Sequence, residues 1–265
     1  MHTHLSHPEG WYAPEPIRKL FKPVSSVLYP IIQVHYFRIL HGLAAAGRLE
    51  YKIAKTIVGN LWLNVHGGHQ TTREEIKLML DKAALEEGTT IVLAKCLCRI
   101  AMHNKYEDWC IMLGDIAKSW LRFRPNETRL ISLQEAREVL EKAKEKKLIS
   151  CPYICTTNRV YAICNCDPWD CLALHLETMH GIETAILPGI YVAHITDKCQ
   201  ASKGCNQSCK KYCYFRAIVG GETEVVVNES RCHGCGLCYE NCPFGAVELI
   251  KKRERILDWH FPYNI

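Results

Sequence analysis

No run of about twenty apolar residues free of charge occurs in this 265-residue sequence, and a bilayer-spanning helix needs one. The opening, MHTHLSHPEGWYAPEP, lacks the basic segment followed by an apolar one that marks a secretory signal. A reducing, cytoplasmic setting is therefore expected, with contact at a membrane surface the less favoured option. No G-x-G-x-x-G follows a strand-like run, and VHGGHQ at 65–70 does not supply one, so neither a flavin nor a nicotinamide site is expected. Basic and aromatic residues are not interleaved as in a nucleic-acid-binding module, which removes nucleic acid from the expected partners.

Cysteine, by contrast, is abundant, at sixteen residues in a chain that is 48% hydrophobic. That much apolar material builds a core without disulfides, and in a reducing compartment clustered cysteines point to metal. The formal charge is +5. A four-thiolate iron-sulfur centre carries about −2, so two such centres would bring the chain close to neutral. The positive balance therefore argues little for an acidic partner.

The pattern reads as α+β. Residues 1–70 form a helical or partner-docking segment. Within it IRKLFKPVSSVLYPIIQVHYFRILHGLAAAG, interrupted by His35, Arg38 and His41, is expected to make a buried or interfacial helix. His2, His4 and His7 are expected on an exposed terminus. Residues 71–188 form a cysteine-rich α+β domain. TTREEIKLMLDKAALEEG has a threonine cap, acidic residues in its first turn, Ile76, Leu80 and Ala84 at helical spacing, and Gly88 to end it. SLQEAREVLEKAKEKKLI opens with the capping box Ser132/Glu135 and places Leu133, Ala136, Leu140 and Ala143 on one face.

Each of these helices is followed by an apolar, strand-like run that ends in Cys-x-Cys: Cys96 and Cys98 in AKCLC, Cys164 and Cys166 in AICNC. Residues i and i+2 of a strand share a side. Two strands of one sheet would thus bring four thiols to one edge. The alternative is that these cysteines are small buried hydrophobes.

Residues 189–265 carry the most specific motif. Cys232, Cys235, Cys238 and Cys242, followed by Pro243, are spaced C-x2-C-x2-C-x3-C-P. Three cysteines in one tight loop reach three irons of a cubane, and Gly234 and Gly236 permit the positive φ values of such a wrap. Upstream lie Cys199, Cys205, Cys209 and Cys213, spaced C-x5-C-x3-C-x3-C. Over residues 190–252 the chain resembles the bacterial two-cluster ferredoxins. That resemblance implies two 4Fe-4S clusters with crossed ligation: Cys232, Cys235 and Cys238 with Cys213, and Cys199, Cys205 and Cys209 with Cys242. The first set departs from the family in its longer spacings and in having Tyr214 where proline usually follows the fourth cysteine. His233 either tunes a cluster or is a solvated loop side chain.

Eight cysteines remain. Cys96, Cys98, Cys110, Cys164, Cys166 and Cys171 are candidates for a third metal centre of iron-sulfur type, six where a cubane needs four. Cys151 and Cys155 are buried thiols or an auxiliary site. Arg99 either offsets thiolate charge, binds an anion, or makes a surface salt bridge. The layout over residues 90–175 loosely resembles the N-terminal region of ferredoxin-tailed iron-sulfur proteins of anaerobic microbes. The expected function is single-electron relay to or from a redox protein or larger oxidoreductase complex. The alternative is a reductase in which the N-terminal centre acts on a small substrate.

Overall fold

The computed structural model describes residues 29–57, 66–85, 89–155, 157–182 and 186–253. His2, His4, His7 and Gly88 lie outside these residues. The fold is α+β, built on a seven-stranded sheet of order β4-β2-β3-β6-β5-β1-β7. The strands are β1 (His66–His69), β2 (Ile91–Lys95), β3 (Asp108–Leu113), β4 (Thr128–Leu130), β5 (Ile149–Cys155), β6 (Thr157–Cys166) and β7 (Ile186–Leu187). Neighbours run antiparallel except β1 and β7, which are parallel.

The period of two decides what each face packs against. Ile91, Leu93, Ile111, Leu113 and Ile163 face α3 (Arg73–Leu85) and α6 (Leu133–Glu145). Val92, Ala94, Cys110, Met112 and Ala162 face the other way, into a core shared with α1 (Tyr29–Ala46), α4 (Leu97–His103), α5 (Gly114–Phe123) and α7 (Leu172–His180). A further helix, α2 (Arg48–Ile57), follows α1. Helix α1 buries Val34, Phe37, Leu40 and Ala44 in that core, in line with the expected packed helix. Among the described residues no helix is long and apolar enough to cross a membrane.

Both capped helices form. Thr72 Oγ1 accepts from the Glu75 amide at 3.2 Å, and the Ser132/Glu135 box closes in both directions, at 3.1 Å and 2.8 Å. The buried stripe of α3 is Ile76, Met79, Leu80 and Ala83, so Ala84 is one residue off the expected register. That of α6 is Ala136, Val139, Leu140 and Ala143.

The C-terminal part pairs β8 (Tyr191–Ile195) with β11 (Val247–Lys251), and β9 (Ile218–Val219) with β10 (Val226–Val227). Two one-turn helices, α8 (Ser208–Lys211) and α9 (Leu237–Glu240), complete it. Its small core includes Val192, Ala193, Ala217, Ile218 and Val247. It lies directly against the sheet domain. Leu237 is buried in the large core, with Tyr212, Tyr214, Phe215 and Cys235 packed on it. Arg73, 4% exposed, pairs with Glu240 at 2.9 Å. At Gly189 a Cβ would stand 2.2 Å from the Gln70 carbonyl oxygen, so only glycine permits this approach of the two backbones.

Candidate metal centres

The C-terminal cysteines fall into two groups. One cavity is lined by Cys199, Cys205, Cys209 and Cys242, another by Cys213, Cys232, Cys235 and Cys238. The chain builds them by repeating one local plan. Gln207 (φ 48°) and Gly236 (φ 77°) precede α8 and α9, and Arg216 (φ 53°) and Gly245 (φ 58°) close the turns that follow. In those turns the Ala217 amide donates to Cys213 Sγ at 3.2 Å and the Ala246 amide to Cys242 Sγ at 3.3 Å. The Ala193 amide donates to Cys232 Sγ at 3.4 Å. Gly234 (φ 71°) lies so near β8 that a Cβ would meet the Tyr191 carbonyl oxygen at 2.3 Å.

These donor sets fit iron-sulfur clusters. Burial pushes the Cys235 thiol up to about 12 and Cys238 well above the ordinary thiol range, so deprotonation needs the charge of a metal. Backbone N–H groups are already aimed at the sulfurs of Cys213, Cys232 and Cys242. Tyr214, at the place where Pro243 stands in the second half, donates its phenol to the Lys147 carbonyl at 2.9 Å. The departure from the proline pattern thus anchors this turn to the sheet domain.

The six N-terminal candidates also converge, by a different backbone route from the one expected. Strand β2 ends at Lys95, with a bulge between Ala94 and Lys95, and Cys96 becomes the N-cap of α4 (φ −66°, ψ 115°). Cys98 therefore sits in the first turn of a helix, not on a strand. Strands β2 and β6 are separated by β3, so the thiols meet over the sheet face and not at an edge. Cys110 on β3 is the register partner of Cys164 on β6. Cys166 ends β6 and Cys171 caps α7.

The thiols adjoin in pairs: Cys96 with Cys98, Cys98 with Cys171, Cys171 with Cys166, and Cys166 with Cys96, which closes a ring of four. Cys110 touches the ring at Cys96, and Cys164 adjoins Cys110. Among the described residues no three His, Cys, Asp or Glu side chains already close on a single ion. Cys96 is held well below the usual thiol range, chiefly by hydrogen bonds from Cys110, Cys166 and Cys98, with the Arg99 amide adding to them. Cys171 is lowered likewise by Cys166 and Cys98, helped by the Leu174 amide. Cys98, Cys110 and Cys166 go well up, because each shares its proton with a neighbour in a buried site.

Arg99 is neither at the surface nor open to an anion. It is 4% exposed and is held by Asp170, by Glu107 at 2.9 Å and by Asp167 at 3.1 Å. Burial opposes its charge, but Asp170, Cys96, Cys166 and Asp167 outweigh that and raise its pKa. It ties α4 to the 167–170 turn that leads into Cys171. His233 is likewise no solvated side chain: it pairs with Glu177 at 3.3 Å and stacks on Phe215 with centroids 3.7 Å apart. Cys151, 1% exposed, is buried in the large core, within electrostatic reach of Cys164, Cys171 and Cys235. Cys155 is the strand partner of His66.

Comparison with known proteins bears on the C-terminal part. Residues 225–248 match the family described as a 4Fe-4S binding domain. An uncharacterized ferredoxin of Methanocaldococcus jannaschii is 35% identical over 86 residues, 31% of this chain and 49% of that protein. An uncharacterized ABC transporter ATP-binding protein of the same organism is 35% identical over 69 residues, 23% of this chain and 11% of its own length. The translation initiation factor RLI1 of Chaetomium thermophilum is 39% identical over 62 residues, 21% of this chain and 10% of its own. The chain thus spans half or less of the relatives it matches, and no solved structure matches it. Its C-terminal part carries a ferredoxin-type domain that supports at least one 4Fe-4S cluster.

Proposed function

We propose that this chain relays single electrons through two 4Fe-4S clusters, one on Cys199, Cys205, Cys209 and Cys242 and the other on Cys213, Cys232, Cys235 and Cys238. A third centre of iron-sulfur type takes four ligands from among the six thiols Cys96, Cys98, Cys110, Cys164, Cys166 and Cys171, two of which are then bystanders. Clusters bound in these sites would supply one-electron steps with little movement of their ligands. The observation that carries the reading is the packing of the parts. Cys235 packs on the core that holds the six thiols, and Cys151 in that core lies within electrostatic reach of Cys164, Cys171 and Cys235. Cys213, Cys232 and Cys238 share the C-terminal core with Cys199, Cys209 and Cys242. The chain itself holds the thiols in place, excludes water from the Cys235 group, and aims N–H groups at the sulfurs. The partner is a redox protein or larger oxidoreductase complex. Fifteen described cysteines are free, which suits a reducing compartment such as the cytoplasm.

Iron and acid-labile sulfide, measured on anaerobically prepared protein, test this. About twelve irons per chain support three cubanes, about eight overturn the third centre, and about four overturn the second cluster. The reductase alternative is favoured by one observation: Cys98 and Cys164 keep part of their surface exposed. Spectra of the reduced protein that do not change with cyanide or carbon monoxide would remove it.

A further inference from the structure

Six thiols exceed the four that a cubane takes, and the fold divides them. The ring of Cys96, Cys98, Cys166 and Cys171 is made where chain segments turn: the cap and first turn of α4, the end of β6 and the cap of α7. Around Cys96, Cys98 and Cys171 the backbone N–H groups are free of the sheet ladder, and Cys166 is the last residue of its own strand, opposite Ile149. The Arg99 amide serves Cys96 and the Leu174 amide serves Cys171, as amides serve the sulfurs of the C-terminal sets. Cys110 and Cys164 differ. They stand inside β3 and β6 as direct register partners, where the N–H groups belong to the ladder, and their close sulfur neighbours are thiols only.

We propose that Cys110 and Cys164 are not metal ligands but a reversible dithiol/disulfide pair beside a centre held by the ring of four. The proposal rests on the third centre proposed above. Cross-strand partners have Cα atoms about 4.5–5.5 Å apart, inside the roughly 4.4–6.8 Å range that a disulfide spans. Cys164 also has Cys151 as register partner on its other side. It adjoins Cys110, however, whereas Cys151 reaches it only through space and turns its own S–H toward the Pro152 carbonyl at 3.7 Å. Cys164 keeps part of its surface open while Cys110 is 4% exposed, so Cys164 is the attacking thiol and Cys110 the resolving one.

The chemistry is thiol–disulfide exchange with a substrate of the disulfide class. The Cys164 thiolate attacks one sulfur of R–S–S–R, the S–S bond breaks, and one RS⁻ leaves and takes up a proton. The Cys110 thiolate then attacks the mixed disulfide, releasing the second RSH and forming the Cys110–Cys164 bond. Two electrons, delivered singly by the iron-sulfur electron transfer of this chain, and two protons from solvent restore the thiols. A one-electron carrier thereby becomes coupled to a two-electron exchange.

The test is a peptide map of anaerobic full-length protein treated with excess oxidised dithiothreitol, then blocked with iodoacetamide. It is read beside iron counts for Cys110→Ser and Cys164→Ser. A Cys110–Cys164 crosslink that disappears on re-reduction with dithionite, with both variants keeping the wild-type iron content, is expected. Loss of about four irons in either variant, a Cys151–Cys164 crosslink, or no crosslink at all overturns the proposal. The wild-type map needs no variant to fold. A wild type with eight irons overturns the third centre instead, and the map alone then decides the pair.

Discussion

Replacing Glu240 by glutamine measures how firmly the ferredoxin-type part is fixed to the sheet domain. Arg73 uses all five of its N–H groups: Nε donates to Glu240 at 2.9 Å, one terminal nitrogen to the Leu140 carbonyl at 3.3 Å and to Ser150 Oγ, and the other to the Leu148 carbonyl at 2.9 Å and to Glu240 at 3.3 Å. The side chains of Arg73 and Glu240 are 4% and 5% exposed. At an effective dielectric near 20 such a contact attracts by roughly 5–6 kcal/mol, most of it offset by the desolvation of both ions. Breaking the pair from one side leaves a buried guanidinium without its counter-ion, which costs about 3–5 kcal/mol.

For a chain of this size, that is a fall in Tm of roughly 6–20 °C. The assay is an anaerobic thermal melt followed by circular dichroism at one fixed scan rate, since such proteins unfold irreversibly. The Arg73→Met/Glu240→Leu double variant removes both charges but also takes the Arg73 donors from the Leu148 carbonyl and Ser150 Oγ, at about 1–3 kcal/mol. It is expected to lose less than the sum of its single variants. A fall under about 2 °C for Glu240→Gln, or additive losses, would refute the buried pair as the fastening.

Three further outcomes follow from local geometry. Gly234→Ala combines a positive φ with a Cβ 2.3 Å from a backbone oxygen, whereas Gly204→Ala (φ 78°) meets open space. The first should lose visible cluster absorbance and about four irons, the second only about 1 kcal/mol of stability, and equal effects would refute the close-approach argument. Asp170→Asn removes one of three carboxylates around Arg99 together with the partner of Lys105 at 3.2 Å. It should cost about 1–3 kcal/mol and speed hydrogen exchange in residues 167–171. Ser132→Ala breaks the capping box at about 1 kcal/mol. Glu135 is depressed to about 2, first by the Ser132 amide and then by Arg129 and the Ser132 hydroxyl. Its contribution is therefore complete above about 4.5 and is lost as pH falls from there toward 2. The difference in Tm between wild type and Glu135→Ala should narrow over that window, and a constant difference would refute this part of the box.

What could be read from the sequence was what lies close along the chain. The C-x2-C-x2-C-x3-C-P run and the Ser132/Glu135 box are local devices, and both sit where their spacing put them. The meeting of Cys96 and Cys98 with Cys164 and Cys166 was legible as a pairing of motifs, but its backbone was not. A bulge after Ala94 moves Cys98 onto a helix, and alternation along an apolar run carries no mark of where a strand stops. The burial of Arg99 depends on Asp167 and Asp170, and that of His233 on Glu177. Each is a contact between distant segments, and nothing around Arg99 or His233 in the sequence marks its partner.

The irregular first cysteine set has a reason once its surroundings are compared with those of the second. The turns Cys213-Tyr-Phe-Arg-Ala and Cys242-Pro-Phe-Gly-Ala share φ values and the same amide-to-sulfur bond, yet they face different neighbours. Phe244 is 48% exposed, with Pro243 beside it. Phe215 packs on the large core and stacks on His233, and Tyr214 reaches Lys147. A proline at 214 could complete the turn but has no hydroxyl to fasten it to the sheet domain. The points at which the first half departs from the second thus fall where its turn meets the sheet domain, whereas the turn at Pro243 is open to solvent.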